Sequence, residues 1–132
     1  RIAEIRLADK FGAEPVLEDE FARAGAARVG IGFITWALDR APALLDRALA
    51  LGPACLFLSF GDPRPHAPRI HAAGVPLICQ LQRVADLEHA LAAGAVAIVA
   101  QGTEAGGHGG ARATLPLVVE LADALAARSP ET

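Results

Sequence analysis

Aromatic residues are scarce in this chain, at 5% of 132 positions, with one tryptophan and no tyrosine. Single-stranded nucleic acids are bound on aromatic stacking platforms, so this scarcity argues against such a partner. Cations are scarce as well: 12 Lys and Arg face 15 Asp and Glu, for a net charge of −3. Nucleic-acid backbones are gripped by clustered Lys and Arg, and no such cluster is expected here. The apolar runs are too short and too interrupted to cross a bilayer, so no membrane association is expected. No hydrophobic signal segment lies behind the opening Arg1-Ile2-Ala3-Glu4, and the expected location is cytoplasmic. The two cysteines, Cys55 and Cys79, each sit inside an apolar strand-like run and read as small buried thiols. No Cys or His spacing suggests a zinc site, and no metal is expected.

What is present is apolar, at 53% of the chain. Much of that fraction is alanine, which buries little area, so the core is adequate rather than rich. The length fits one domain spanning residues 1–132. Four runs, Val29 to Ile34, Ala54 to Phe60, Val75 to Gln80 and Ala95 to Gln101, are nearly continuous in apolar residues. Such runs predict strands covered on both faces, as in parallel sheets. Helical patterns lie between them. Ala41, Leu44, Leu45, Ala48 and Leu49 share one face, and Gly52-Pro53 stops that helix. Shorter helices are predicted over about 65–73 and 84–93, ended by Gly74 and Gly94. A last one starts near Thr114, a plausible cap, with Pro116 in its first turn. The segment before Val29 reads as helix, with Pro15 as a break.

The strand starts recur every twenty to twenty-five residues, and Ala72-Ala73-Gly74-Val75 matches Ala92-Ala93-Gly94-Ala95 in place. This is a repeating strand-helix unit. Right-handed crossovers then give an α/β fold with a parallel sheet, either part of a (β/α)8 TIM barrel or an open doubly wound sheet. A complete barrel takes about 250 residues, so four visible units amount to about half of one.

Ligands of parallel α/β folds sit at the carboxyl ends of strands. The residues to inspect are therefore Thr35-Trp36, Gly61-Asp62-Pro63, Gln80-Leu81-Gln82 and Gln101 through Gly110. The last stretch holds five glycines in ten residues, with Gln, Thr, Glu and His among them. Glycines let backbone amides approach a ligand. A histidine there can exchange protons near neutral pH. Two common nucleotide motifs fail in it. A dinucleotide fingerprint counted from Gly107 needs glycine where Arg112 stands, and a P-loop counted from Gly102 needs lysine where His108 stands. Taken alone, a histidine in such a loop is more often solvated than catalytic. Glu104 can bond a ligand or His108, cap the loop's own amides, or face water. His66, His71 and His89 read as surface residues.

Three runs carry a resemblance: Gly30-Ile31-Gly32-Phe33-Ile34-Thr35-Trp36, Phe60-Gly61-Asp62-Pro63, and above all Val99 through Gly110. They resemble the nitronate monooxygenases, formerly called 2-nitropropane dioxygenases, over about Val29 to Leu125. That family implies a (β/α)8 barrel with FMN at the strand ends. Flavin-dependent enoyl-acyl-carrier-protein reductases look similar in the same loop. By resemblance His108 matches the catalytic base, and Gln101, Gly106 and the adjoining Gly107 match flavin-contacting positions. Gln80 and Thr35 correspond to positions near the flavin, and Phe33 sits where some members carry a polar residue. The implied reaction oxidises a nitronate or nitroalkane, with molecular oxygen, to a carbonyl compound and nitrite. The implied alternatives are an enoyl reductase relative, or a barrel fragment that binds no flavin and assembles into homo-oligomers through its sheet edges. The family's phosphate-gripping loops follow later strands than those found here. A third possibility, from the residues alone, is an open-sheet domain using the loop for an anion.

Overall fold

The computed structural model describes residues 2–3, 14–25 and 28–128. Five strands, β1 (Ile2–Ala3), β2 (Gly30–Ile34), β3 (Leu56–Ser59), β4 (Leu77–Leu81) and β5 (Ala97–Ala100), lie side by side in chain order, and every neighbouring pair is parallel. Helix α1 (Glu14–Arg23) precedes β2. Helices α2 (Thr35–Leu38) and α3 (Ala43–Ala50) join β2 to β3, and α4 (Ala67–Ala72) joins β3 to β4. A 3-10 turn at Val84–Asp86 runs into α5 (Leu87–Ala92) before β5, and α6 (Thr114–Ala126) follows it. A doubly wound sheet reverses its strand order at a switch point. This sheet does not reverse, which is the winding of a (β/α)8 barrel.

The core lies on one side of the sheet. Register places Ile31, Leu56 and Leu77 in one row, and Phe33, Leu58 and Cys79 in another. These side chains share a buried cluster with Leu45, Ile70, Leu87 and Leu117 of the helices. Each fully buried leucine contributes about 1.5–3 kcal/mol through removal of apolar surface from water. The opposite face carries Gly32, Phe57, Ile78 and Ala97, then Ile34, Ser59, Gln80 and Val99. It opens toward β5, where Val99 is 38% exposed. Continuous apolar runs predict cover on both faces. β2 has it, whereas β3 to β5 are buried on alternate residues only or less. The uncovered face is the one that lines the inside of a barrel.

The four predicted strands agree with β2 to β5 within two residues at each end. The N-terminal expectation needs correction. Ile2–Ala3 is a strand paired with Gly30 and Ile31, too short to leave a pattern. Pro15 breaks nothing: it lies in the first turn of α1, where its missing N–H has no partner to lose. Residues 4–13 of that expectation lie outside the described residues.

Gly74 and Gly94 end α4 and α5 at φ of +68° and +69°, a left-handed region that glycine enters freely. The two repeats are also tied together. His71 Nε2–H donates to the carbonyl of Ala93, at 2.8 Å, which satisfies the end of α5. Cys79 is buried and its thiol is pushed up to about 11 by that burial, so it stays protonated and inert. Cys55 is half-buried rather than buried, because it precedes β3 at the sheet's margin. Among the described residues no helix is long and apolar enough to cross a membrane.

Candidate active site

The loops after β2, β3, β4 and β5 meet at the carboxyl end of the sheet. After β2 the chain turns at once into α2, with Thr35 as its first residue. Thr35 is 1% exposed, and its Oγ1 has no hydrogen-bond partner. Trp36 beside it is 37% exposed, with the Arg40 guanidinium 5.2 Å over its ring.

Gly61, just after β3, closes over Thr35. A Cβ at Gly61 would lie 2.8 Å from Thr35 Cβ, and its φ is +154°. Thr35 therefore lies under a turn that must move before its side chain can touch a ligand. The residue before this glycine, Phe60, holds φ at +59°. That conformation is an outlier for a bulky side chain and costs about 1–3 kcal/mol. The surroundings impose it: the Trp36 N–H donates to the Phe60 carbonyl at 3.4 Å while Gly61 sits on Thr35.

The turned-out Phe60 ring meets His108. The two ring centroids are 5.8 Å apart at 61°, an edge-to-face contact. His108 thus reaches from the loop after β5 to the exit of β3. It lies at the same end of the sheet as the other candidate residues.

Between these exits stand three glutamines. Gln80 Nε2 donates to Gln101 Oε1 at 2.7 Å, and Gln82 Nε2 donates to the same oxygen at 2.8 Å. All three are half-buried. The amide nitrogen of Gln101 has no partner among the described residues. Gln82 went unassigned in the sequence. The signal was its spacing: two residues beyond Gln80, it falls on the same face of the strand.

The loop that carries His108 is anchored at its base and bare at its tip. Gly102 is buried so tightly that a Cβ there would lie 2.2 Å from the Thr114 nitrogen. The Thr103 N–H donates to the Arg112 carbonyl at 2.9 Å. Thr114 is not the cap of α6 but its first helical residue, and Ala113 makes no side-chain cap bond. Glu104 takes that role, accepting the Thr114 N–H at 2.8 Å and its hydroxyl at 2.7 Å. These bonds lower the Glu104 carboxyl below its ordinary range, Thr114 first. At the tip, a Cβ at Gly106, Gly107 or Gly109 meets nothing within 4 Å, so the backbone is open to an approaching group.

His66 corrects another expectation. It is 3% exposed, and its Nε2–H donates to Asp39 Oδ1 at 2.7 Å, while its Nδ1 is buried without a partner. A carboxylate 27 positions away draws it inward, which local pattern does not reveal. His71 is exposed and His89 half-buried.

The Gln101 amide, the open glycines and the imidazole are the groups that could hold a planar heterocycle with a polar edge, such as the ring of a flavin. The arginines of these loops, by contrast, already have partners: Arg64 with Asp62, Arg83 with Asp86 and Arg112 with Glu120. The Arg64 guanidinium holds the Asp62 carboxyl down at about 2.

No protein-family model and no curated protein sequence matches the chain. Solved structures do. FabK from Thermotoga maritima superposes with a TM-score of 0.78 over 92% of this chain, at 19% identity. A methionine-to-alanine variant of the same protein gives 0.75 over 86%, at 20% identity. The chain spans 39% of the length of each. At that identity the likeness speaks for architecture: this chain has the fold of a partial (β/α)8 barrel.

Proposed function

We propose that this chain forms one wall of an FMN site in an oxidoreductase of the nitronate monooxygenase kind. The observation that carries the reading is the placement of His108, an imidazole set against Phe60 above the exits of parallel strands. Gln101 and Gln80 would hold the polar edge of the flavin, and Gly106 and Gly107 would let the loop backbone approach it. Thr35 would join them only after the Gly61 turn shifts.

When bound, FMN supplies the capacity to take electrons from the substrate and hand them to molecular oxygen. The chain supplies the proton chemistry. A neutral His108 accepts the α-proton of a nitroalkane at a ring nitrogen, a step typically worth about 10²–10⁴-fold. The cation so formed stands beside the new nitronate anion and stabilises it by direct attraction. For a substrate that arrives as a nitronate, this step is dispensable.

A relative of the flavin-dependent enoyl-acyl-carrier-protein reductases is the second reading. The loop resemblance and the barrel architecture are compatible with it. A cytoplasmic location and small-molecule substrates belong to this same proposal. Among the described residues the outer edge of β5 has no strand beside it, and it would offer a contact for homo-oligomers.

The test is made on purified chain supplied with FMN. Retained yellow colour, with oxygen uptake and nitrite release from a nitroalkane, supports the first reading. Reduced nicotinamide consumed with an enoyl thioester supports the second. A colourless, cooperatively folding oligomer contradicts both.

A further inference from the structure

The base assignment leaves open what aims the imidazole. His108 has no hydrogen bond to any described residue, and a Cβ at Gly107 or Gly109 beside it would meet nothing within 4 Å. Its ring packs edge-to-face with Phe60. Phe60 can make that contact only because its backbone is left-handed, which the seat of Gly61 on Thr35 and the Trp36 N–H enforce. A right-handed or extended residue at this point would aim its side chain elsewhere.

We propose that Phe60 is a positioning residue for His108, with the strained Phe60-Gly61 turn as the device that presents its ring. The inference rests on the proposed role of His108 as base. An aromatic partner suits that role. A carboxylate or carbonyl would occupy one ring nitrogen and fix the tautomer. A ring edge against a ring face sets the plane of the imidazole and leaves both nitrogens for substrate and solvent. Strain stored at such a turn is sustained because two neighbouring loops hold it.

The experiment compares Phe60→Gly and Phe60→Tyr with wild type by proton NMR of the His108 imidazole in the full chain. Glycine keeps the left-handed backbone and removes the ring, so the variant has no strained turn to refold. Tyrosine keeps the ring. The Phe60 ring current displaces the His108 ring protons. Phe60→Gly should return them to the positions of a solvated histidine, and Phe60→Tyr should keep them displaced. With FMN loaded, Phe60→Gly should lower kcat and kcat/KM for a nitroalkane together by about 10–100-fold, as misplacement of a reacting group does. Phe60→Tyr should restore most of the loss. Unmoved His108 resonances in Phe60→Gly would overturn the inference. Resonances that move, in a protein whose turnover survives His108→Ala, would keep the contact and remove the base assignment instead.

Discussion

Glu104 caps a helix to which it does not belong: its carboxylate accepts both the backbone N–H and the hydroxyl of Thr114, ten residues further on. The loop bearing His108 is thereby closed at its base while its glycine tip stays open. A free N–H at a helix start needs such a partner, and a negative charge there also meets the positive end of the helix dipole.

That charge makes the closure of the loop depend on pH. Glu104 is held below its ordinary value of 4.5, chiefly by the Thr114 hydroxyl. A lowered folded-state value means stability that is present above the unfolded value and lost as pH falls through the folded one. Thermal unfolding followed from pH 7 downward should fall less steeply below about pH 4.5 in Glu104→Gln than in wild type. Limited proteolysis at pH 7 should cut the loop faster in Glu104→Ala. Identical acid profiles and cleavage rates would remove Glu104 from this role.

Two glycines of the same loop should differ sharply in their tolerance of alanine. Gly102→Ala forces a Cβ to within 2.2 Å of the Thr114 nitrogen, which only backbone movement can relieve. Overpacking of this kind costs about 1–3 kcal/mol or more. Gly109→Ala meets open space without a left-handed φ and should stay within about 0.5 kcal/mol of wild type. Chemical denaturation of both variants measures the contrast.

Thr35 offers a test of whether it ever meets the flavin. Its buried Oγ1 lacks a partner, so Thr35→Val exchanges an unsatisfied hydroxyl for a methyl group of the same shape. A gain of about 1 kcal/mol is expected, with flavin affinity unchanged. A loss of flavin affinity would show that the Gly61 turn opens and that Thr35 reaches the ligand.

The paired arginines bear on the cofactor's phosphate. Arg64, Arg83 and Arg112 are each engaged by a carboxylate. A held phosphate gains charge-assisted bonds of about 1.5–3 kcal/mol each, which would favour FMN over riboflavin by tenfold or more. Titration of this chain should instead give the two flavins similar dissociation constants. A strong FMN preference that Arg64→Ala or Arg112→Ala abolishes would contradict this.

Much of the architecture is legible in the residues. Strands β2 to β5 announce themselves as nearly unbroken apolar runs, although only β2 is covered on both faces, and Gly74 and Gly94 mark helix ends because few other residues take that backbone. The direction of winding is not legible, since sequential and reversing sheets share the same repeat; pairing decides it. The grouping of Gln80 with Gln101 follows from strand exits that the repeat brings side by side. Other features are set by distant partners. Asp39 buries His66, Ile2–Ala3 becomes a strand only beside β2, and the left-handed Phe60 answers to Thr35 and Trp36. Pattern within a window carries none of these.

Replacement of His108 tests its role as base most directly. Nitrite release from a neutral nitroalkane is measured for flavin-loaded wild type and His108→Ala, with bound FMN quantified in each. Loss of about 10²–10⁴-fold in turnover at equal flavin content is the expected result. Equal turnover in the two proteins would contradict the assignment of the base.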